Sequence, residues 1–216
     1  APVPAPGLGS AAIAAALERS AVTPESIEEV LMGCVLPAGL RQAPARQAAL
    51  GAGLPLGAPC TTINKMCGSG MKAVMLAHDH ILAGSGRIAI AGGLESMSNA
   101  PYLLPKARGG YRLGNGELLD HMFVDGLEDA YEPGKLMGNF AEDCAARYNF
   151  SRKDQDDFAI ESLTRATEAI ENGAFRDEII SVSVNTRKEL MQVDTDEQPL
   201  AANIEKIPYL TPAFQK

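Results

Sequence analysis

One cysteine in this sequence stands where chemistry is possible. Cys67 lies between a β-branched run, Thr61-Thr62-Ile63-Asn64, and the segment GSGMKAVMLAHDHILAG, which has the composition of a long apolar helix. A helix start exposes unpaired N–H groups and carries a partial positive charge, so a sulfur placed there is favoured as thiolate, and the same N–H groups can hold a developing oxyanion. Gly68 and Gly70 remove side chains that would keep a thioester from the sulfur. The residues alone leave a second reading open, that Cys67 is a small packing residue at a strand–helix junction, as most free cysteines are. Cys34 ends an apolar strand, Cys60 has no flanking glycines, and Cys144 falls on an apolar helical stripe, so these three read as structural.

The four cysteines show no CxxC spacing and no neighbouring histidine cluster, which gives neither a metal site nor a disulfide framework. His78 falls among Val74, Met75, Ile81 and Leu82 on the Cys67 helix and reads as a core histidine. His80 and His121 are isolated, and nothing ties any of the three to Cys67 as a general base.

The elements that must position Cys67 follow a βα rhythm. Helices are predicted over Ser10–Ser20, Gln42–Gly53 and Gly68–Ala83, and strands over Glu28–Val35, Cys60–Asn64 and Arg87–Gly93. Strands separated by helices imply a parallel sheet and an α/β fold. A boundary is expected near Ser98 to Pro101, dividing the chain into residues 1–98 and 99–216. Beyond it, Pro105–Asp120 has the glycine content of a loop. Met137, Phe140, Ala141, Cys144 and Tyr148 recur at helical steps and predict one buried face. Ser151–Asp154 reads as a capping box opening a helix with Ala159, Leu163, Ala166 and Ile170 on one side and Gly173 as its stop.

With 216 residues, 46% apolar and 21% charged, the chain can bury a sizeable core. No apolar run approaches the ~18 residues a membrane span requires, and the opening APVPAPGLGS lacks the pattern of a signal peptide, so a soluble cytoplasmic protein without a membrane partner is expected. A net charge of −8 argues against nucleic acid as a partner. An anionic ligand must find a local basic patch.

The segments NKMCGSGMKAV around Cys67 and IAIAGGLESMSNAPYLL from Ile88 resemble the acyl-enzyme motif and the following strand of thiolases. The resemblance continues through QAPARQAALGAGLP upstream and RGGYRLG, DGLEDAY, LMGNFAED, SRKDQDDFAIESLTRA and VDTDEQP downstream, so it covers essentially the whole chain. It implies a layered βαβ thiolase fold of two similar halves, with residues 1–98 as part of the first core and 99–216 as most of an inserted α-rich loop domain that holds coenzyme A. It implies that Cys67 takes an acyl group from an acyl-CoA, with its backbone N–H as half of an oxyanion hole, and that acetoacetyl-CoA or another 3-ketoacyl-CoA is made or cleaved. Coenzyme A and acetyl-CoA enter as substrates, with no covalently bound cofactor. Family pantetheine contacts fall on Leu127, Met137 and Phe214, and Arg187, Lys188 and Lys206 are the cations near where the CoA phosphates would lie. RGGYRLG resembles a loop joining dimers, so a homodimer or homotetramer is expected of an intact protein.

The sequence departs from the family pattern at Leu136, where some thiolases carry histidine, at Leu200, where some carry arginine, and at Arg41, where a small or polar residue is expected. The GHP, CxG and NEAF motifs, which supply the family's base, second cysteine and water-holding asparagine, do not occur in these residues, nor does the first strand with its RTP turn. If the family's strand order holds, that strand would lie between those at Glu28 and Arg87, leaving a hole in the sheet. A decarboxylating ketosynthase shares a cysteine at a helix start, but its usual surroundings differ from NKMCGSGMKAV, and a cysteine hydrolase needs a histidine partner. The alternative to an enzyme is a truncated thiolase-like chain that binds CoA or a partner without turnover.

Overall fold

A computed structural model describes residues 3–186 and 189–215. They form an α/β protein in two compact units, one reaching Leu127 and including Val184–Met191, the other Glu128–Ser183 with the residues from Gln192 onward. Each is described separately.

The first unit is built on three parallel strands, β1 (Glu29–Gly33), β2 (Cys60–Ile63) and β3 (Ala89–Gly93), in the order β2-β1-β3. Helices α1 (Ala5–Ser20) and α2 (Pro44–Gly51) cover one side and α3 (Ser69–Leu82) the other. Both faces of β1 are therefore covered, and its run Val-Leu-Met is apolar throughout, as a central parallel strand demands. Val30, Met32 and, just past the strand, Cys34 pack with Ile13 and Leu17 of α1 and Ala45, Ala48 and Ala49 of α2, while Leu31 meets Ala73 and Ala77 of α3. Burying a side chain the size of Val30 or Met32 stabilises the fold by ~2 kcal/mol. α1 begins five residues earlier than its alanine-rich segment predicts, with Pro6 in its first turn, where the missing N–H is not needed.

The sheet has no hole. β1 and β3 are paired along their length, from Glu29 opposite Ala89 to Gly33 opposite Gly93, and Glu28 N–H and Leu94 N–H extend the ladder at its two ends. Two strand edges facing each other with unpaired N–H and C=O groups are costly, and here they close on each other. Glu28 clasps the same edge: its carboxylate accepts from Arg87 N–H (2.5 Å) and from the Arg87 guanidinium (3.3 Å). The Arg87 backbone N–H, followed by the guanidinium, holds the Glu28 carboxyl below its ordinary 4.5. A lowered folded value means stability that is present above the ordinary carboxylate range and lost as pH falls through the folded value. Glu28→Gln is expected to unfold earlier than the parent in urea at neutral pH, and the gap between the two midpoints to shrink below about pH 4.

α3 corrects two expectations. Its buried face is the small-residue stripe Ser69, Ala73 and Ala77, whereas Met71, Val74, Met75 and Leu82 are exposed, and His78 is exposed beside Asp79 rather than in a core. Of the loop predicted over 105–120, the last two residues form β5 (Leu119–Asp120), paired antiparallel with β4 (Tyr102–Leu103); a π-helical turn, Phe123–Leu127, follows.

The second unit carries α4 (Met137–Tyr148), α5 (Arg152–Glu171), the short α6 (Glu197–Ala201) and a 3-10 turn, Ile204–Tyr209. Strands β6 (Val182–Asn185) and β7 (Leu190–Val193) pair with each other. α5 has the capping box its sequence predicts: Ser151 Oγ accepts from Asp154 N–H and the Asp154 carboxylate accepts from Ser151 N–H (2.8 Å). Gly173 ends it at φ 65. The predicted buried face of α4 is not found, since Met137, Ala141, Cys144 and Tyr148 are exposed, and on α5 Ala159 is exposed while Leu163, Ala166 and Ile170 are half-buried. Among the described residues no helix is long and apolar enough to cross a membrane.

Candidate active site

β2 runs into a turn at Asn64–Gly68 that delivers the chain to α3, and Cys67 sits on that turn with its side chain exposed. The turn is held at both ends by side chains of its own segment. Asn64 Oδ1 accepts from Met66 N–H (3.0 Å), which folds the chain back and sets Met66 in the left-handed region at φ 49. Ser69, buried at the first position of α3, accepts from Lys65 N–H (2.8 Å) and donates to the Met66 carbonyl (2.5 Å). The backbone on either side of Met66 is thus fixed, and a non-glycine residue is kept in a conformation that costs about 1 kcal/mol. The consequence is a sharp strand–turn–helix elbow that projects Cys67 outward at the positive end of a 14-residue helix.

Gly33 beneath the elbow lets it lie this close to the sheet, whereas a Cβ on Gly70 or Gly93 would meet only ordinary contact. A Cβ on Gly33, at the end of β1, would come within 2.6 Å of the Ser69 backbone and 2.7 Å of Gly70 N. Gly70 stands over the end of β3, a Cβ there lying 3.7 Å from the Gly92–Gly93 peptide, and a Cβ on Gly93 would be 3.5 Å from Gly70 Cα. None of Gly33, Gly92, Gly93, Asn64 or Ser69 stands out in the sequence as a site residue, although the pairing of small residues at both strand ends with a Gly-Ser-Gly helix start is a readable signal.

The remaining cysteines divide. Cys34 is buried against Glu95 Oε1 (3.6 Å), and burial first, then the carboxylate, pushes its thiol up to about 12, so it is inert. Cys60 is half-buried and its thiol is likewise raised, chiefly by burial. Cys144, expected in a core, is exposed on α4 because nothing among the described residues covers that side of the helix. Among the described residues no group of three or more histidine, cysteine or acidic side chains could hold a metal ion. His121 is buried and paired with Asp125 (2.7 Å), and no hydrogen bond links a described histidine to Cys67.

Leu127 ends the π turn of the first unit and is half-buried. Met137 and Phe214 belong to the second unit: Met137 opens α4, and the Phe214 ring lies against the next residue, Gly138, so closely that a Cβ there would overlap it. Arg152 at the start of α5 anchors the segment leading to Phe214, donating to the carbonyls of Ile207 (3.1 Å) and Leu210 (2.9 Å). Gly138→Ala must displace the ring. The overpacking is expected to lower stability by about 1–3 kcal/mol, which thermal unfolding would register.

Arg187 and Lys188 lie outside the described residues. Lys206 is exposed on the 3-10 turn, in no ion pair among the described residues. Lys135, by contrast, is consumed by Asp143 (3.0 Å) and Glu132 (3.5 Å) and stacks on the Phe140 ring, with the Asp143 hydrogen bond raising its affinity for the proton. Leu136 precedes α4 with its N–H donating to Asn139 Oδ1, and Leu200 is exposed on α6. Arg41 stands at φ 69, a strained position for a non-glycine residue.

Residues 1–216 match the family model described as thiolase, N-terminal domain. The chain is 48% identical over 216 residues to an acetyl-CoA acetyltransferase of Pseudomonas aeruginosa and 49% identical over 216 residues to one of Cupriavidus necator, covering 99% of this chain and 55% of each relative. It is 44% identical over 215 residues to the mitochondrial acetyl-CoA acetyltransferase of Mus musculus, covering 50% of that protein. The chain therefore spans about half the length of the curated relatives it matches.

Proposed function

The chain belongs to the thiolase family through that family's N-terminal domain, and from this premise we propose that it is the acyl-accepting part of an acetyl-CoA C-acetyltransferase. The observation that carries the reading is the elbow: a single exposed cysteine on a doubly pinned turn at a helix start, set over glycine-lined strand ends. Such a position combines an accessible sulfur with the positive end of a helix, which favours a carbonyl oxygen as it gains charge.

In the proposed reaction the Cys67 thiolate adds to the thioester carbonyl of an acyl-CoA. The new carbon–sulfur bond to Cys67 forms, the bond to CoA sulfur breaks, and CoA leaves with the electron pair and then takes a proton. A second acetyl-CoA, deprotonated at its methyl carbon by a base supplied from outside these residues, attacks the acyl-cysteine, forming a carbon–carbon bond and returning the thiolate. Thiolysis is the same sequence reversed. Residues 1–98 supply the nucleophile and residues 99–216 the CoA-binding loop domain in this reading.

The family resemblance assigns Leu127, Met137 and Phe214 to contacts with the pantetheine arm and Arg187, Lys188 and Lys206 to the phosphates. Of those that are among the described residues, only Phe214 borders a cavity in which Glu132, Glu142 and Asp143 stand with a single, already paired Lys135, surroundings that repel phosphate and so support keeping Phe214 apart from the phosphate contacts. The exposed 108–114 loop, with Leu113 almost wholly exposed, is suited to joining copies of the protein in a dimer or tetramer.

The test is intact mass before and after incubation with acetyl-CoA, run beside Cys67→Ala. One acetyl group gained only when Cys67 is present supports the acyl-enzyme. No acetylation of a full-length protein carrying this chain sinks it and favours the alternative, a chain that binds CoA or a partner without turnover.

A further inference from the structure

His121 is the one histidine of the described residues that is wholly buried, 3% exposed, and the proposed reaction does not use it. Its ring is held at both nitrogens. Nε2 accepts from Ala38 N–H (3.4 Å), which places the ring proton on Nδ1, and Nδ1–H donates to Asp125 Oδ2 (2.7 Å). Asp125 lies inside the π-helical turn Phe123–Leu127, and helical turns of this wide kind are rare and concentrate at functional sites. The same turn leans on Leu36, whose side chain would be 3.3 Å from a Cβ on Gly126.

The segment that receives this turn is tied in its own right to the nucleophile. Glu95, just past β3, accepts from Val35 N–H (2.8 Å) and Leu36 N–H (3.0 Å), and Asn64 donates to the Val35 carbonyl (3.5 Å) with the same amide group that folds the Cys67 turn. Asn64, Val35, Ala38, His121 and Asp125 all border one cavity. The path from Cys67 to Leu127 is thus continuous: elbow, Asn64, the 35–38 segment, His121, Asp125, π turn.

We propose that His121, oriented by Asp125, is a positioning residue that fixes Leu127 relative to Cys67 and so sets where an acyl-CoA arm lies beside the nucleophile. This deepens the acetyltransferase reading and rests on it. His121 touches no reacting atom. Its contribution is to keep the π turn on the 35–38 segment, which polar pairing achieves because the buried His121 ring N–H has no water to turn to and takes the Asp125 carboxylate instead.

The experiment uses a full-length protein carrying this chain, with steady-state thiolysis of acetoacetyl-CoA and the rate of Cys67 alkylation by iodoacetamide as separate readouts. His121→Leu, which loses both bonds at similar volume, is expected to raise KM about tenfold while kcat and alkylation stay within about twofold. His121→Gln, whose amide reaches the Nε2 position, restores part of the KM. Asp125→Ala, at a half-exposed site that tolerates truncation, raises KM about threefold and decides the matter if His121→Leu does not fold. An active parent with KM unchanged in the folded variants overturns the inference alone. A fall in alkylation rate equal to the loss of kcat also overturns it, since it would show a general loosening. A parent without thiolysis removes the acetyltransferase reading and this inference with it.

Discussion

Replacing Cys67 by alanine is expected to reduce acetyl transfer by at least about 10⁴-fold, with little change in the affinity for CoA. Nucleophiles that act as one unit with their base cost orders of magnitude when removed alone, whereas contacts along the substrate's arm contribute to binding in the ground and transition states alike. The geometry makes the effect specific to this cysteine. Cys34 is buried and its thiol is pushed to about 12, and Cys60 is half-buried with its thiol also raised, so neither can take over. Cys144 is exposed but stands mid-helix on α4, with no helix start behind it. Cys67→Ser keeps the shape of the elbow and replaces the sulfur by a weaker nucleophile, and is expected to fall nearly as far. Steady-state thiolysis together with isothermal titration of CoA separates the two quantities. Loss of CoA affinity in step with activity would mean that Cys67 holds the turn rather than the acyl group.

How much of this was legible in the sequence follows from what a linear pattern can encode. The strand–turn–helix around Cys67 is written in consecutive residues, a β-branched run, two glycines and a long apolar segment, and it is found where expected. The capping box of α5 is local in the same way. The errors fall where a pattern shows that a surface is apolar but not what covers it. Val74, Met75 and Leu82 mark a real apolar stripe on α3, yet the sheet is met by the alanine stripe, and His78 goes outward with its neighbours. The same pattern puts Cys144 on an apolar stripe of α4, and it is exposed for the same reason.

Pairing across the chain is still less visible. The two-residue strands β4 and β5 are too short to carry a period, and their register depends on a loop of glycines between them. The direct pairing of β1 with β3 could not be read from either strand, because each would look the same with another strand between them. His121 looks isolated for a related reason: Asp125 is four residues on, but the partner that orients its other nitrogen, Ala38, is 83 residues away. Roles for Leu127, Met137 and Phe214 rest on resemblance, and Gly138, whose missing side chain makes room for Phe214, carries no local mark in the sequence.

Gly33 is the sharpest case of a residue whose importance lies in what it omits, and Gly33→Ala is the second large expected effect. Its Cβ would meet Ser69 C and Cβ at 2.6 Å and Gly70 N at 2.7 Å, all of them backbone or buried atoms at the first turn of α3. No flexible side chain can move aside, so the start of the helix must rise from the sheet. Ser69 rises with it, and Ser69 is what holds Lys65 N–H and the Met66 carbonyl on either side of the strained residue before Cys67. A shift of about 1 Å at the nucleophile costs on the order of 10²-fold in rate, and kcat for thiolysis is expected to fall by that amount while KM stays within about threefold. The overpacking itself destabilises by about 1–3 kcal/mol, which thermal unfolding would register. Gly57→Ala supplies the comparison, because a Cβ there meets nothing within 4 Å, and it should leave rate and stability unchanged. If Gly33→Ala loses stability but retains kcat, the elbow does not depend on its seat in the sheet, and the two side-chain pins from Asn64 and Ser69 suffice to hold Cys67 in place.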